Sequence, residues 1–167
     1  MIVLDTSTLI LLAKSDLLAL LAEKTPLVIP PEVRQEALAK PTLYDAKMIA
    51  AMLQAGTIRV MRAGGMIGKK RMQREFGLEA AEASALVLAK ERGVPLATDD
   101  GPAIKAAKIV GVPFITAMYV LRELAVKGRL NRKTALAKLE ILQRVGRYNV
   151  QILGEARQCI EQEGREA

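Results

Sequence analysis

Between Ile2 and Ala117 five short apolar runs alternate with segments of helical periodicity, and this alternation constrains the fold more than any other feature of the chain. IVL opens the chain, and TPLVIP, TIRVMR, VPLAT and VPFIT follow as strands. STLILLAKSDLLALLAE reads as one helix after the first strand. EVRQEALAK, entered through Pro31 at a first helical turn, follows the second, and TLYDAKMIAAMLQAG, stopped by Gly56, precedes the third. LEAAEASALVLAKERG and GPAIKAAKIVG, with stops at Gly93 and Gly111, flank the fourth. The stretch AGGMIGKKRMQREFG reads as a flexible loop leading to a short basic segment. Strand and helix in turn predict an α/β fold, with a central, mostly parallel five-stranded sheet flanked by helices. From Ala117 no strand pattern returns. MYVLRELAVKG, then RKTALAKLEILQRVG behind an Asn131 cap, then a segment starting near Tyr148, read as three helices. No linker or repeat sets them apart, so a single domain over 1–167 is expected, with a core of about 1–120 and a helical extension over 117–167.

Composition narrows the chemistry. The chain holds no histidine and one cysteine, Cys159, which excludes a Ser-His-Asp triad, an intramolecular disulfide and a Cys/His zinc site. Carboxylates, lysines, hydroxyls and ions held by oxygen remain, and oxygen sites favour Mg2+ or Mn2+. With 25 Lys plus Arg against 18 Asp plus Glu, the net charge of +7 points to a polyanionic partner, nucleic acid first. No apolar run reaches the roughly 18 to 20 residues of a membrane span. The amino-terminal MIVLDTSTLILLAK lacks the basic start of a signal peptide and carries Asp5. A soluble, cytoplasmic protein with no membrane partner is expected.

In an open α/β sheet ligands bind beyond the carboxyl ends of the strands, so acids placed there carry weight. Asp5 ends the first strand, and Asp99 and Asp100 end the fourth; Glu36 lies on the helix after the second strand and Glu82 near the start of the mid-chain helix. Each has a local alternative, Asp5, Asp99 and Asp100 as helix caps and the glutamates as solvated helix positions. Together they carry more meaning. Two carboxylates about 4 Å apart repel by roughly 4 kcal/mol at an effective dielectric of 20, so a cluster of them calls for a balancing cation, and a divalent metal with open positions suits phosphodiester chemistry.

These residues resemble the PIN-domain ribonucleases, including the VapC toxins of prokaryotic toxin-antitoxin pairs. The matching pieces are IVLDTSTLI, IPPEVRQEAL, AEASALVLAKERG and PLATDDGPAIKAAKIVGVP, in order over about residues 1–120. The resemblance implies catalytic acids at Asp5, Glu36, Glu82 and Asp100, a metal held among Asp5, Glu82, Asp99 and Asp100, and supporting hydroxyls at Ser7 and Thr98. Glu82 stands where many relatives have Asp, and Asp99 is an added neighbour, either a further ligand or a cap. Glu79, three residues before Glu82, shares a nearby helical face without an assigned role. The implied activity is Mg2+- or Mn2+-dependent hydrolysis of RNA, leaving a 3′-hydroxyl and a 5′-phosphate. A homodimer is implied too, as is an antitoxin partner if the chain is a toxin and none if it is a processing nuclease. The alternative is a non-catalytic RNA-binding or protein-interaction module on the same fold.

Arg59, Arg62, Lys69, Lys70, Arg71 and Arg74 follow one another with no intervening acid, a candidate clamp for an RNA phosphate backbone. With Tyr44, Phe76, Phe114, Tyr119 and Tyr148 as the only aromatics, backbone contact is favoured over base stacking. GGMIGKK is one residue short of a phosphate-binding loop and no Ser or Thr follows its lysines. LDTST places Ser7 where a haloacid-dehalogenase signature needs its second acid.

Overall fold

The computed structural model describes residues 1–163. Strands β1 (Ile2–Leu4), β2 (Leu27–Ile29), β3 (Ile58–Val60), β4 (Leu96–Ala97) and β5 (Phe114–Ile115) form one sheet in the order β3-β2-β1-β4-β5. Every neighbouring pair is parallel, with Val3 opposite both Val28 and Leu96 and Leu4 opposite Ala97. The inner strands are buried on both faces, which is why β1, β2 and β4 read as continuous apolar runs without alternation. Leu4, Leu27, Ile29 and Leu96 are fully buried, each contributing about 1.5–3 kcal/mol of apolar transfer.

The helices are α1 (Thr6–Lys14), α2 (Leu18–Ala22), α3 (Pro31–Ala37), α4 (Tyr44–Gln54), α5 (Met66–Phe76), α6 (Ala80–Arg92), α7 (Gly101–Val110), α8 (Ala117–Val126), α9 (Arg132–Val145) and α10 (Val150–Glu163). Two expectations are corrected. The first long helix is two: Ser15 Oγ donates back to the Leu11 carbonyl at 2.7 Å, and Asp16 takes a left-handed conformation (φ 53), so the chain turns between α1 and α2 although its apolar periodicity continues. The glycine-rich basic stretch, read as a loop, forms the three-turn helix α5. Its residues are mostly good helix formers, Arg71 and Glu75 pair one turn apart, and Gly68 faces Val87 of α6. Met72 is its one buried residue, so the apolar stripe that normally reveals a helix is missing.

Gly93 and Gly111 end α6 and α7 in left-handed conformations, φ 63 and 73, as read from the sequence. Asn131 caps α9 by accepting from the Thr134 N–H at 2.8 Å. The extension is continuous with the core: Leu139 and Leu142 of α9 and Ala156 and Ile160 of α10 belong to the same buried cluster as the sheet, and Lys138 Nζ donates to the Ser15 carbonyl at 2.9 Å. Among the described residues no helix is long and apolar enough to cross a membrane.

Candidate active site

In the order β3-β2-β1-β4-β5 the chain winds outward from β1 to β3 and then crosses to β4 on the other side, so the order of strand addition reverses between β1 and β4. A crevice forms beyond the carboxyl ends of strands at such a point. Asp5 leaves β1 and Thr98-Asp99-Asp100 leave β4 at this place, already aligned by the pairing of Leu4 with Ala97.

Asp5 caps α1. Its Oδ1 accepts from the Thr8 N–H and the Ser7 hydroxyl, both at 2.9 Å, and its Oδ2 accepts from the Thr98 hydroxyl. The residue is only 1% exposed. Burial pushes its carboxyl up to about 6; the bonds from Thr98, Thr8 and Ser7 oppose the rise, and the charge of Asp99 adds to it. Thr98, fully buried, also accepts from the Asp100 N–H at 3.2 Å. Asp100 caps α7, its Oδ2 accepting from the Ala103 N–H at 2.9 Å. Capping and site placement thus coincide at Asp5 and Asp100.

Glu36 and Glu82 enter from two helices that pack on each other, α3 and α6. The Thr6 hydroxyl donates to Glu36 Oε2, tying it to the residue beside Asp5. Glu82 Oε2 accepts from the Glu79 N–H at 2.9 Å, which orients the Glu82 arm over the first turn of α6. Burial, first, and then the charges of Asp100, Glu79 and Glu36 push the Glu82 carboxyl up against that bond. Glu82 therefore shares one electrostatic neighbourhood with Asp100 and Glu36. Glu79 and Glu36 also line a shallow groove of about 340 Å3 beside α3, with Glu32 at its edge.

Among the described residues, none of Asp5, Glu36, Glu82 and Asp100 pairs with a lysine or arginine. Nor do any three carboxylates stand close enough together there to hold a metal ion as a group. The donor set suits a hard divalent ion: all oxygen, partly desolvated, negative and without a basic partner, as for Mg2+, which takes few direct carboxylates and keeps waters. Asp99, counted with the candidate ligands, has a different setting. Its Oδ2 accepts from the Thr8 hydroxyl at 2.7 Å and the Ala117 N–H at 2.9 Å, and its Oδ1 from the Tyr148 hydroxyl at 2.8 Å.

A family model described as a PIN domain matches residues 1–161. The chain belongs to the PIN-domain family. PIN domains are generally nucleases and typically use divalent metal ions, and the match runs into the last of the three carboxyl-terminal helices, to residue 161. No curated protein gives a match.

The basic residues of this PIN domain divide into groups. Lys69 pairs with Glu32 at 2.7 Å, one turn from Glu36 on α3, and so anchors α5 beside the acidic crevice; Arg71 pairs with Glu75 at 2.9 Å. Burial pushes the Glu32 carboxyl up, but the bond and charge of Lys69, together with the Glu32 N–H and the Ser84 side chain, bring it below its ordinary value. Lys70 and Arg74 on α5 are exposed and make no ion pair among the described residues. Arg59 lies on the β3 edge beside Arg34, and Arg62 is exposed in the turn before α5. A groove of about 380 Å3, lined by Ile2, Leu20 and Tyr119 with Lys24, Lys127 and Arg129 among its charged residues, opens at the other end of β1 from Asp5.

The sequence reading did not single out Thr6, Thr8 and Tyr148. The first two were legible in principle, since hydroxyls placed one and three residues after a capping acid lie in the first helical turn, within reach of that acid and its neighbours. Tyr148 carries no such local signal.

Proposed function

We propose that this PIN domain is an Mg2+- or Mn2+-dependent endoribonuclease. One observation supports the reading: Asp5 and Asp100 are joined through Thr98 at the switch point of a parallel sheet, with Glu36 bonded to the neighbouring Thr6 and Glu82 within the field of Asp100 and Glu36, and among the described residues none of the four has a basic partner. Asp5 and Asp100, with Glu82, would hold the ion, and Glu36, fixed by Thr6, would act from the α3 side. A bound divalent ion supplies charge neutralisation at the scissile phosphate and a more acidic water. The chain's own residues do the rest. Ser7, Thr8 and Thr98 hold Asp5 in one orientation, and the Glu79 N–H orients Glu82, whose carboxyl is raised by burial and by the charges of Asp100, Glu79 and Glu36. Lys70 and Arg74 of α5 would contact the RNA backbone beside the crevice, as sequence-independent phosphate contacts do.

The test incubates the purified protein with single-stranded and structured RNA in Mn2+, Mg2+ or EDTA, next to an Asp100→Asn variant shown to be folded. The expected outcome is cleavage that requires metal and is lost in the variant. Cleavage that persists in EDTA or in Asp100→Asn refutes the site. RNA binding without cleavage under every condition replaces it with a non-catalytic RNA-binding module.

A further inference from the structure

Thr98, Asp99 and Asp100 leave β4 in sequence, but their side chains part: Thr98 and Asp100 serve the crevice, while Asp99 reaches the other way into donors from three elements. Its three partners are Thr8 from the first turn of α1, the Ala117 N–H that opens α8, and the Tyr148 hydroxyl from the turn between α9 and α10. Thr8 is the link back to the site, since the same fully buried residue gives its N–H to Asp5 and its hydroxyl to Asp99. A continuous chain of hydrogen bonds therefore runs from Tyr148 through Asp99 and Thr8 to Asp5, and on through Thr98 to Asp100.

Tyr148 is itself held in place. Its ring lies so close over Gly146 that a Cβ there would collide with the ring and come within 2.8 Å of the Leu142 carbonyl. Only glycine leaves room for the ring to turn back toward the sheet, and nothing else in the turn competes for the hydroxyl among the described residues.

We infer that Asp99 and Tyr148 are positioning residues, through which the carboxyl-terminal helices fix the metal-binding carboxylates Asp5 and Asp100. The inference rests on the metal site proposed above and assigns Asp99 a place behind the ligands instead of among them. An acid between Thr98, which holds Asp5, and Asp100, with both its oxygens bonded to the protein, orients the backbone that carries these neighbours. Partners of this kind, one step removed from an ion, typically change metal affinity by 10- to 100-fold when removed.

The experiment measures Mn2+ affinity of the full chain by metal-dependent thermal stabilisation and by titration calorimetry, in wild type, Tyr148→Phe, Thr8→Val and the double variant. Tyr148→Phe keeps the ring packed on Gly146, and Thr8→Val keeps the backbone N–H that caps Asp5. Each single variant is expected to weaken Mn2+ binding about tenfold, and the double variant by less than the product, because both act through Asp99. A melting temperature that falls without metal while Mn2+ affinity stays within twofold of wild type overturns the inference in favour of a purely structural tether. Failure of the wild type itself to bind Mn2+ overturns the proposed metal site, an outcome distinct from the first. Lost Mn2+ binding in Asp99→Asn with full binding in Tyr148→Phe and Thr8→Val would return Asp99 to the ligand set and overturn the inference as well.

Discussion

Asp5→Asn is expected to make the metal-free protein more stable, although it removes the most buried acid of the site. In the folded chain the Asp5 carboxyl is pushed from its ordinary 3.8 up to about 6, so above neutrality the fold carries an ionised group it holds less well than water does. That gap of about two pH units, at 1.36 kcal/mol each, costs the fold about 3 kcal/mol. Asparagine removes the charge and keeps one oxygen for the Thr8 N–H and the Ser7 hydroxyl, but its amide faces the Thr98 hydroxyl, which must swivel at a cost of about 1 kcal/mol. The balance favours the variant by about 2 kcal/mol, or roughly 4–8 °C in melting temperature for a domain of this size. The sign depends on pH. A raised carboxyl pKa means that the folded state holds its proton where the unfolded state has lost it. The contribution of Asp5 to wild-type stability is therefore more favourable at low pH and declines as pH rises from about 4 through 6. Thermal unfolding in EDTA at pH 8 and at pH 4.5 checks this: a clear advantage for Asp5→Asn at pH 8 that shrinks toward zero at pH 4.5. Adding Mn2+ at pH 8 should reverse the ranking by stabilising only the wild type. A variant less stable than wild type at pH 8 without metal refutes the account of Asp5 as a buried, unbalanced charge.

Glu82→Gln keeps an acceptor for the Glu79 N–H, so its melting temperature in EDTA should stay near that of wild type while metal-dependent RNA cleavage falls at least a hundredfold; a gel-based cleavage assay with a melting control reads both. Lys70→Ala with Arg74→Ala should lower RNA affinity and flatten the slope of log K against log salt by about 1.4 for single-stranded RNA, measured by fluorescence anisotropy between low and moderate salt. Lys69→Met removes the partner of Glu32, whose Oε2 is already buried without a hydrogen bond, and should cost about 1 kcal/mol while speeding amide exchange over α5; unchanged exchange there would show that α5 does not depend on this anchor. Gly146→Ala, which displaces the Tyr148 ring, should weaken Mn2+ binding at least as much as Tyr148→Phe in the same titration.

Much of this protein was legible locally. Strand runs buried on both faces, glycines at the ends of α6 and α7 and the Asn131 cap are each written within a few residues, because burial period and backbone conformation are short-range properties. The acids at the strand ends belong to this class too, and their positions pointed to the crevice before the strand order was known. Where local signals conflicted, the reading failed: α5 has too thin an apolar stripe and too many glycines at its start, and Asp16 breaks a helix whose hydrophobic pattern runs on without interruption.

Tertiary structure alone decided what each acid does. Asp99 and Asp100 are the same residue type at adjacent positions, yet one caps α7 at the crevice and the other is bound to α1, α8 and a tyrosine 49 residues away. Extended backbone turns successive side chains to opposite sides, which separates the two, but which side faces the crevice depends on the order β3-β2-β1-β4-β5, a result of packing over the whole chain. The same packing leaves Lys69 paired with Glu32 while Asp5, Glu36, Glu82 and Asp100 are left without a basic partner. Charge balance is a property of neighbours in space. The sequence determined which acids were available, and only the fold determined which of them remained to be balanced by something other than the protein.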